Sequence, residues 1–117
     1  KEICNSVGIT PKGSWYIEAG QGMGEVINMA TERQGYTLAD RGTYIAYKKK
    51  SDLALLYDGD KGLFNPYGVI AVNPKRHPHV KYNLAMKLID FLTSKEGQGI
   101  IADFKVSGEQ LFFPDAR

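Results

Sequence analysis

Two glycine-bordered turns hold the residues best suited to chemistry. In Ile17-Glu18-Ala19-Gly20-Gln21-Gly22-Met23-Gly24 a β-prone stretch passes through glycines into a helix. A helix start leaves backbone N–H groups without partners and carries about half a positive charge, so Gly22, Met23 and Gly24 are candidate donors to an anion. The second turn, Tyr36-Thr37-Leu38-Ala39-Asp40-Arg41-Gly42-Thr43-Tyr44, is another strand end feeding a helix and gathers hydroxyls, an acid and a guanidinium at Thr37, Asp40, Arg41 and Thr43. Ligands of open α/β sheets bind outside the carboxyl ends of the strands, which would let both turns face one site. Each turn also has a plainer account. The glycines serve a tight connection equally well, and Asp40 reads as a helix N-cap with Arg41 as its surface partner and Thr43 in the first turn.

Catalytic and metal constellations are poor. Cys4 is the one cysteine, His77 and His79 are the two histidines, and neither a Gly-x-Ser-x-Gly elbow nor a Walker loop occurs. His77-Pro78-His79 resembles a two-residue metal clip, but a solvated loop before a helix explains it more simply. Glu18 and Asp40 are better read as an exposed group and a cap than as paired catalytic carboxylates. Trp15, Tyr16, Phe64, Phe112 and Phe113 read as packing residues, not as a base-stacking platform.

The elements that must position the two turns follow from periodicity and punctuation. Lys1 to Val7 reads as the last turns of a helix, with Gly8 as its left-handed cap, from which we expect a piece of a longer protein. Met23, Val26, Ile27 and Ala30 form a helical stripe that Gly35 ends, and Asp40 starts a helix over residues 41–49 whose lysines match its negative end. Strands are expected at 15–19, 36–38, 53–57 and 67–72. A helix after His79 carries Leu84, Ala85, Leu88, Ile89 and Leu92 on one face. Thr93 or Ser94 then caps another through Glu96, Ile100, Ile101 and Phe104. Such alternation predicts an α/β sheet with covered faces.

Composition excludes several classes. With 117 residues, 43% hydrophobic and 24% charged, the chain suits one ordered domain, and 15 Lys+Arg against 13 Asp+Glu is too mild a balance for nucleic-acid binding. A lone cysteine forms no internal disulfide and leaves the compartment open. No segment approaches a membrane span, and the first residues do not read as a signal peptide.

Four strings taken together closely resemble the tungstate-binding proteins of ABC transporters. They are Gly20-Gln21-Gly22-Met23-Gly24-Glu25, the Tyr36 to Tyr44 segment, Leu63-Phe64-Asn65-Pro66-Tyr67-Gly68-Val69-Ile70-Ala71-Val72-Asn73-Pro74, and Ser94-Lys95-Glu96-Gly97-Gln98 with Gly108-Glu109-Gln110-Leu111-Phe112-Phe113-Pro114. The resemblance implies a type II periplasmic binding protein-like α/β fold of two lobes with the anion between them, and it covers only the C-terminal part of that family. Residues 1–62 would belong to the second lobe and 63–117 to a returning hinge strand and the C-terminal helices. The family's N-terminal threonine- and serine-rich anion loop, and an arginine before a Ser-Gly-Thr helix start, have no counterpart in this sequence.

It further implies a binder and not an enzyme, with no cofactor, a tungstate or molybdate ligand and an ABC permease as partner. The place of work would be periplasmic or extracellular, on a cell-surface lipoprotein in a Gram-positive source, with no direct membrane insertion. Such dianions carry no proton near neutral pH and only accept hydrogen bonds, so amides at Gly22, Met23 and Gly24 with Thr37 or Arg41 suit them, while Asp40 holds Arg41 and caps its helix. Molybdate or phosphate binding, and the effector domain of a LysR-type regulator, are the alternatives. A piece lacking its partner lobe is expected to expose apolar surface unless it dimerises or exchanges segments.

Overall fold

Helix capping decides where the chain turns. The computed structural model describes residues 1–116. Its elements are α1 (Glu2–Ser6), α2 (Met23–Glu32), α3 (Arg41–Tyr47), a short 3-10 turn at Lys61–Leu63, α4 (Tyr82–Thr93), α5 (Lys95–Asp103), and the strands β1 (Lys105–Val106) and β2 (Glu109–Gln110). After α1 the chain closes as expected at Gly8, whose φ is 75°. Gly8 N–H donates to the Asn5 carbonyl at 3.0 Å and Ile9 N–H to that of Cys4 at 2.9 Å, the paired bonds of a left-handed C-terminal cap. The same bonds close α2, but here Gln34 (φ 50°) takes the left-handed position in place of the expected Gly35, which follows it and donates to Ala30 at 2.8 Å.

The α2 stripe meets α3. Ile27 and Ala30 of α2 and Ile45 of α3 are the buried hydrophobic side chains among the described residues, with Ile27 only 1% exposed. Thr31 donates back to the Ile27 carbonyl at 2.8 Å, and its hydroxyl lies 2.7 Å from that of Ser51, fastening the end of α2 to the chain beyond α3. α3 stops at Tyr47, two residues short of expectation. Lys48 to Lys50 form a tighter turn closed by Lys50 N–H on the Tyr47 carbonyl, and Lys48 swings to Glu109.

Ser94, rather than Thr93, caps α5. Its hydroxyl oxygen accepts from Gly97 N–H at 3.1 Å, while Thr93 donates back to Ile89 at 2.9 Å. The turn between α4 and α5 is so tight that Gly97 is buried against it: a Cβ there would overlap the Phe91 carbonyl oxygen and lie 3.1 Å from Leu92 Cα. Gln98 completes the corner by donating to the Leu92 carbonyl at 2.7 Å.

None of the four expected strands forms a ladder; the one sheet among the described residues is the antiparallel β1–β2 hairpin. A strand persists only where a neighbour takes up its N–H and C=O groups, and residues 15–19, 36–38, 53–57 and 67–72 have no such neighbour among the described residues. Most of their apolar side chains face outward, Leu56 at 72% and Ile70 at 88% exposure, while Leu53 and Ala71 are half-buried. No residue of α4 is fully buried: Ala85, Ile89 and Leu92 of its apolar stripe are half-buried, and Leu84 and Leu88 are exposed. The radius of gyration is 18.4 Å, against about 13 Å for a compact chain of this length. The accessible surface of 9884 Å² likewise exceeds the roughly 6,300 Å² of a compact 13 kDa monomer.

Because backbone atoms, not a flexible side chain, surround the missing Cβ of Gly97, Gly97→Ala should cost about 2 kcal/mol, read as a lower thermal unfolding midpoint against Gly99→Ala, where no neighbour obstructs a Cβ.

Candidate functional site

The first candidate turn forms as a bare helix start. Gly22 is extended (φ −66°, ψ 164°) and hands the chain to α2 with no side chain capping the first amides. The earliest bond inside the helix runs from Val26 N–H to the Gly22 carbonyl at 3.1 Å, so the N–H groups of Met23, Gly24 and Glu25 precede the helical ladder. Glu25 lies in this first turn, and its Oε2 would be 2.9 Å from a Cβ placed on Gly22. A carboxylate there favours the helix dipole and sets a negative charge beside the donors.

Gly24 is needed for a second reason. The ring of Tyr47, the last residue of α3, lies over it, so that a Cβ on Gly24 would be 2.6 Å from Tyr47 Cζ. Tyr47 thus puts a phenol hydroxyl at the first turn of α2. Sequence reasoning missed this residue, since nothing local connects positions 23 residues apart.

In the second candidate turn Asp40 acts as the expected N-cap. Its Oδ2 accepts from Thr43 N–H at 2.9 Å, which gives the Thr43 backbone a structural task. Burial pushes the Asp40 carboxyl up, but the hydrogen bonds from Thr43 outweigh it and hold the pKa below the ordinary carboxylate value. Thr37 is exposed, and its hydroxyl faces the Leu38 carbonyl at 3.3 Å.

Asp40 does not hold Arg41. Arg41 Nε donates to the Gln110 carbonyl at 3.0 Å, its guanidinium lies 5.7 Å from the centre of the Phe113 ring, and Nη1 is 4.0 Å from Asp58 Oδ2. The cap leaves Asp40 turned along its own helix while the longer Arg41 reaches the C-terminal hairpin. Nor do hydrogen bonds or ion pairs among the described residues join positions 22–24 to 37–43; Tyr47 is what α3 brings to the start of α2. His77 and His79 stack edge to face at 6.1 Å, and among the described residues no group of three or more His, Cys, Asp or Glu is placed to hold a metal ion. Among the described residues no helix is long and apolar enough to cross a membrane.

The chain that carries this helix start is similar to known proteins over most of its length. Residues 2–96 match the model of the PBP superfamily domain. The chain belongs to this superfamily. Its PBP relatives include a putative ABC transporter anion-binding protein of Haloferax volcanii, 48% identical over 97% of this chain and 35% of that protein. The tungstate-binding protein TupA of Peptoclostridium acidaminophilum is 42% identical over 97% of this chain and 41% of its own length. Among solved PBP structures, that of the tungstate ABC transporter from Geobacter sulfurreducens is 62% identical and superimposes with a TM-score of 0.79 over 88% of this chain and 44% of that one. The chain therefore spans less than half the length of these relatives.

Asp40 supplies a pH test. A carboxyl whose pKa is lowered on folding stabilises the protein above its unfolded value of 3.8, and that stability is lost as pH falls through the lower folded value. Asp40→Ala should cost about 1 kcal/mol near neutrality in urea unfolding, with the difference from wild type shrinking as the pH drops below about 4.

Proposed function

We propose that the protein binds a tetrahedral oxyanion, tungstate foremost, outside the cytoplasm and delivers it to the permease of an ABC importer, with no cofactor and no reaction. The observation that carries this reading is the uncapped start of α2, where Met23 and Gly24 N–H groups stand free beside glycine backbone. A proton-free dianion only accepts hydrogen bonds, and the unpartnered amides of a helix start donate them under positive potential, against which the Glu25 carboxylate sets one negative charge. The names of the Peptoclostridium and Geobacter relatives support the choice of tungstate.

The ligand set comprises the amides of Gly22, Met23 and Gly24 with the hydroxyls of Thr37 and Thr43, while Asp40 fixes the start of α3 and Arg41 adds positive charge. In this reading residues 1–62 belong to one lobe, residues 63–117 supply a hinge strand and C-terminal helices, and the apolar segments at 53–57 and 67–72 are strands whose partners lie outside these 117 residues. Titration calorimetry of the natural protein with sodium tungstate should show one saturable site, with molybdate competing; absence of heat overturns the reading.

Met23→Pro is a specific probe of the cradle. Proline at the first helical position removes one N–H without disturbing the helix, and the extended Gly22 before it tolerates a following proline. The variant should keep its melting temperature and lose about tenfold or more in tungstate affinity, the worth of one hydrogen bond to a charged group.

A further inference from the structure

Contacts from α3 converge on the C-terminal hairpin. Arg41 Nε–H donates to the Gln110 carbonyl at 3.0 Å, and Lys48, which follows α3 and keeps helical backbone angles, pairs its Nζ with Glu109 Oε1 at 2.6 Å. Seven residues are two helical turns, so the two cations project from one side and hold neighbouring positions of β2. Between them the backbone comes close: Gly42 lets the Phe112 ring approach until a Cβ would stand 3.5 Å from Phe112 Cζ, and Tyr67 meets that ring edge-on at 5.8 Å. The Phe113 ring lies under the Arg41 guanidinium, within reach of a cation–π attraction.

These are specific uses of an arginine. The fixed fork of a guanidinium sends Nε–H to a carbonyl while its face rests on a ring, and a lysine ammonium reproduces neither together. With its Nε–H and one face so engaged, Arg41 has only its Nη groups left to donate, and Nη1 lies 4.0 Å from Asp58 Oδ2. We propose that Arg41 and Lys48 form a two-point latch fastening the C-terminal hairpin to α3, and that Arg41 serves the candidate oxyanion site as a positioning residue, orienting α3 instead of donating to the ligand. The second half rests on the oxyanion-binding reading above and refines its Arg41 term; the latch itself does not depend on it.

The test uses the natural protein and the Arg41 Nε–H resonance. Without ligand it should be shifted upfield by the Phe113 ring and exchange slowly with water. Saturating sodium tungstate should leave it in place while the Met23 and Gly24 amide resonances move. Phe113→Leu should abolish the ring shift and weaken tungstate binding by the same factor as Arg41→Ala, about tenfold, with the double variant no weaker than either single one. Arg41→Lys, which keeps the charge but not the fork, should fail to restore affinity. A tungstate-induced shift of the Nε–H signal, or full affinity in Phe113→Leu beside a loss in Arg41→Ala, overturns the positioning role. Should tungstate give no heat at all, the oxyanion-binding reading and the positioning role fall with it, and the ligand-free spectrum still decides the latch: a ring-shifted, slowly exchanging signal supports it and an unshifted one overturns it.

Discussion

Gly24 has no side chain, and the meeting of α2 and α3 depends on that. The Tyr47 ring fills the space where a Cβ would stand, and behind this contact Ile27, Ala30 and Ile45 close into the buried core. Burial of three apolar side chains offers only a few kcal/mol of driving force at roughly 1.5–3 kcal/mol for each large one. Capping bonds and hydroxyl pairs such as Thr31 with Ser51 must therefore do much of the ordering. The candidate donors of α2 sit at the edge of this pair, which makes their placement a by-product of one small residue.

Local signals were legible wherever the physics is local. Gly8, Asp40 and Ser94 stand where a left-handed closure, an N-cap and a second N-cap were expected, because each involves bonds between residues three to five positions apart. Apolar periodicity found α2 and α4 for the same reason. The strands expected at 15–19, 36–38, 53–57 and 67–72 show the opposite case: their composition expresses a preference that a partner must satisfy, and among the described residues none does. Gln34 takes the left-handed φ before Gly35 because two closing bonds, its own N–H on Thr31 and that of Gly35 on Ala30, hold it there against its intrinsic preference.

The candidate site divides along the same line. That Met23 and Gly24 present amides follows from glycine and helix chemistry. That Arg41 belongs to Gln110 and Phe113, not to its neighbour Asp40, depends on a hairpin almost seventy positions away. Tyr47 over Gly24 was equally hidden from any reading of adjacent residues. A cap aspartate and an arginine beside each other suggest a pair, yet the cap geometry uses up the carboxylate and frees the longer side chain to act at a distance.

The hairpin's attachment to α3 has a bearing on the order of assembly. Its fastenings join residues 61 and 69 positions apart, whereas α2, α3 and their caps draw on near neighbours. Closing so long a loop costs entropy before any contact rewards it, so the helices are set to form first and the tail to arrive last. A tail held through so few contacts depends on each of them, so that with the Arg41 or Lys48 fastening lost, residues 105–113 would be the place where partial unfolding and protease attack begin.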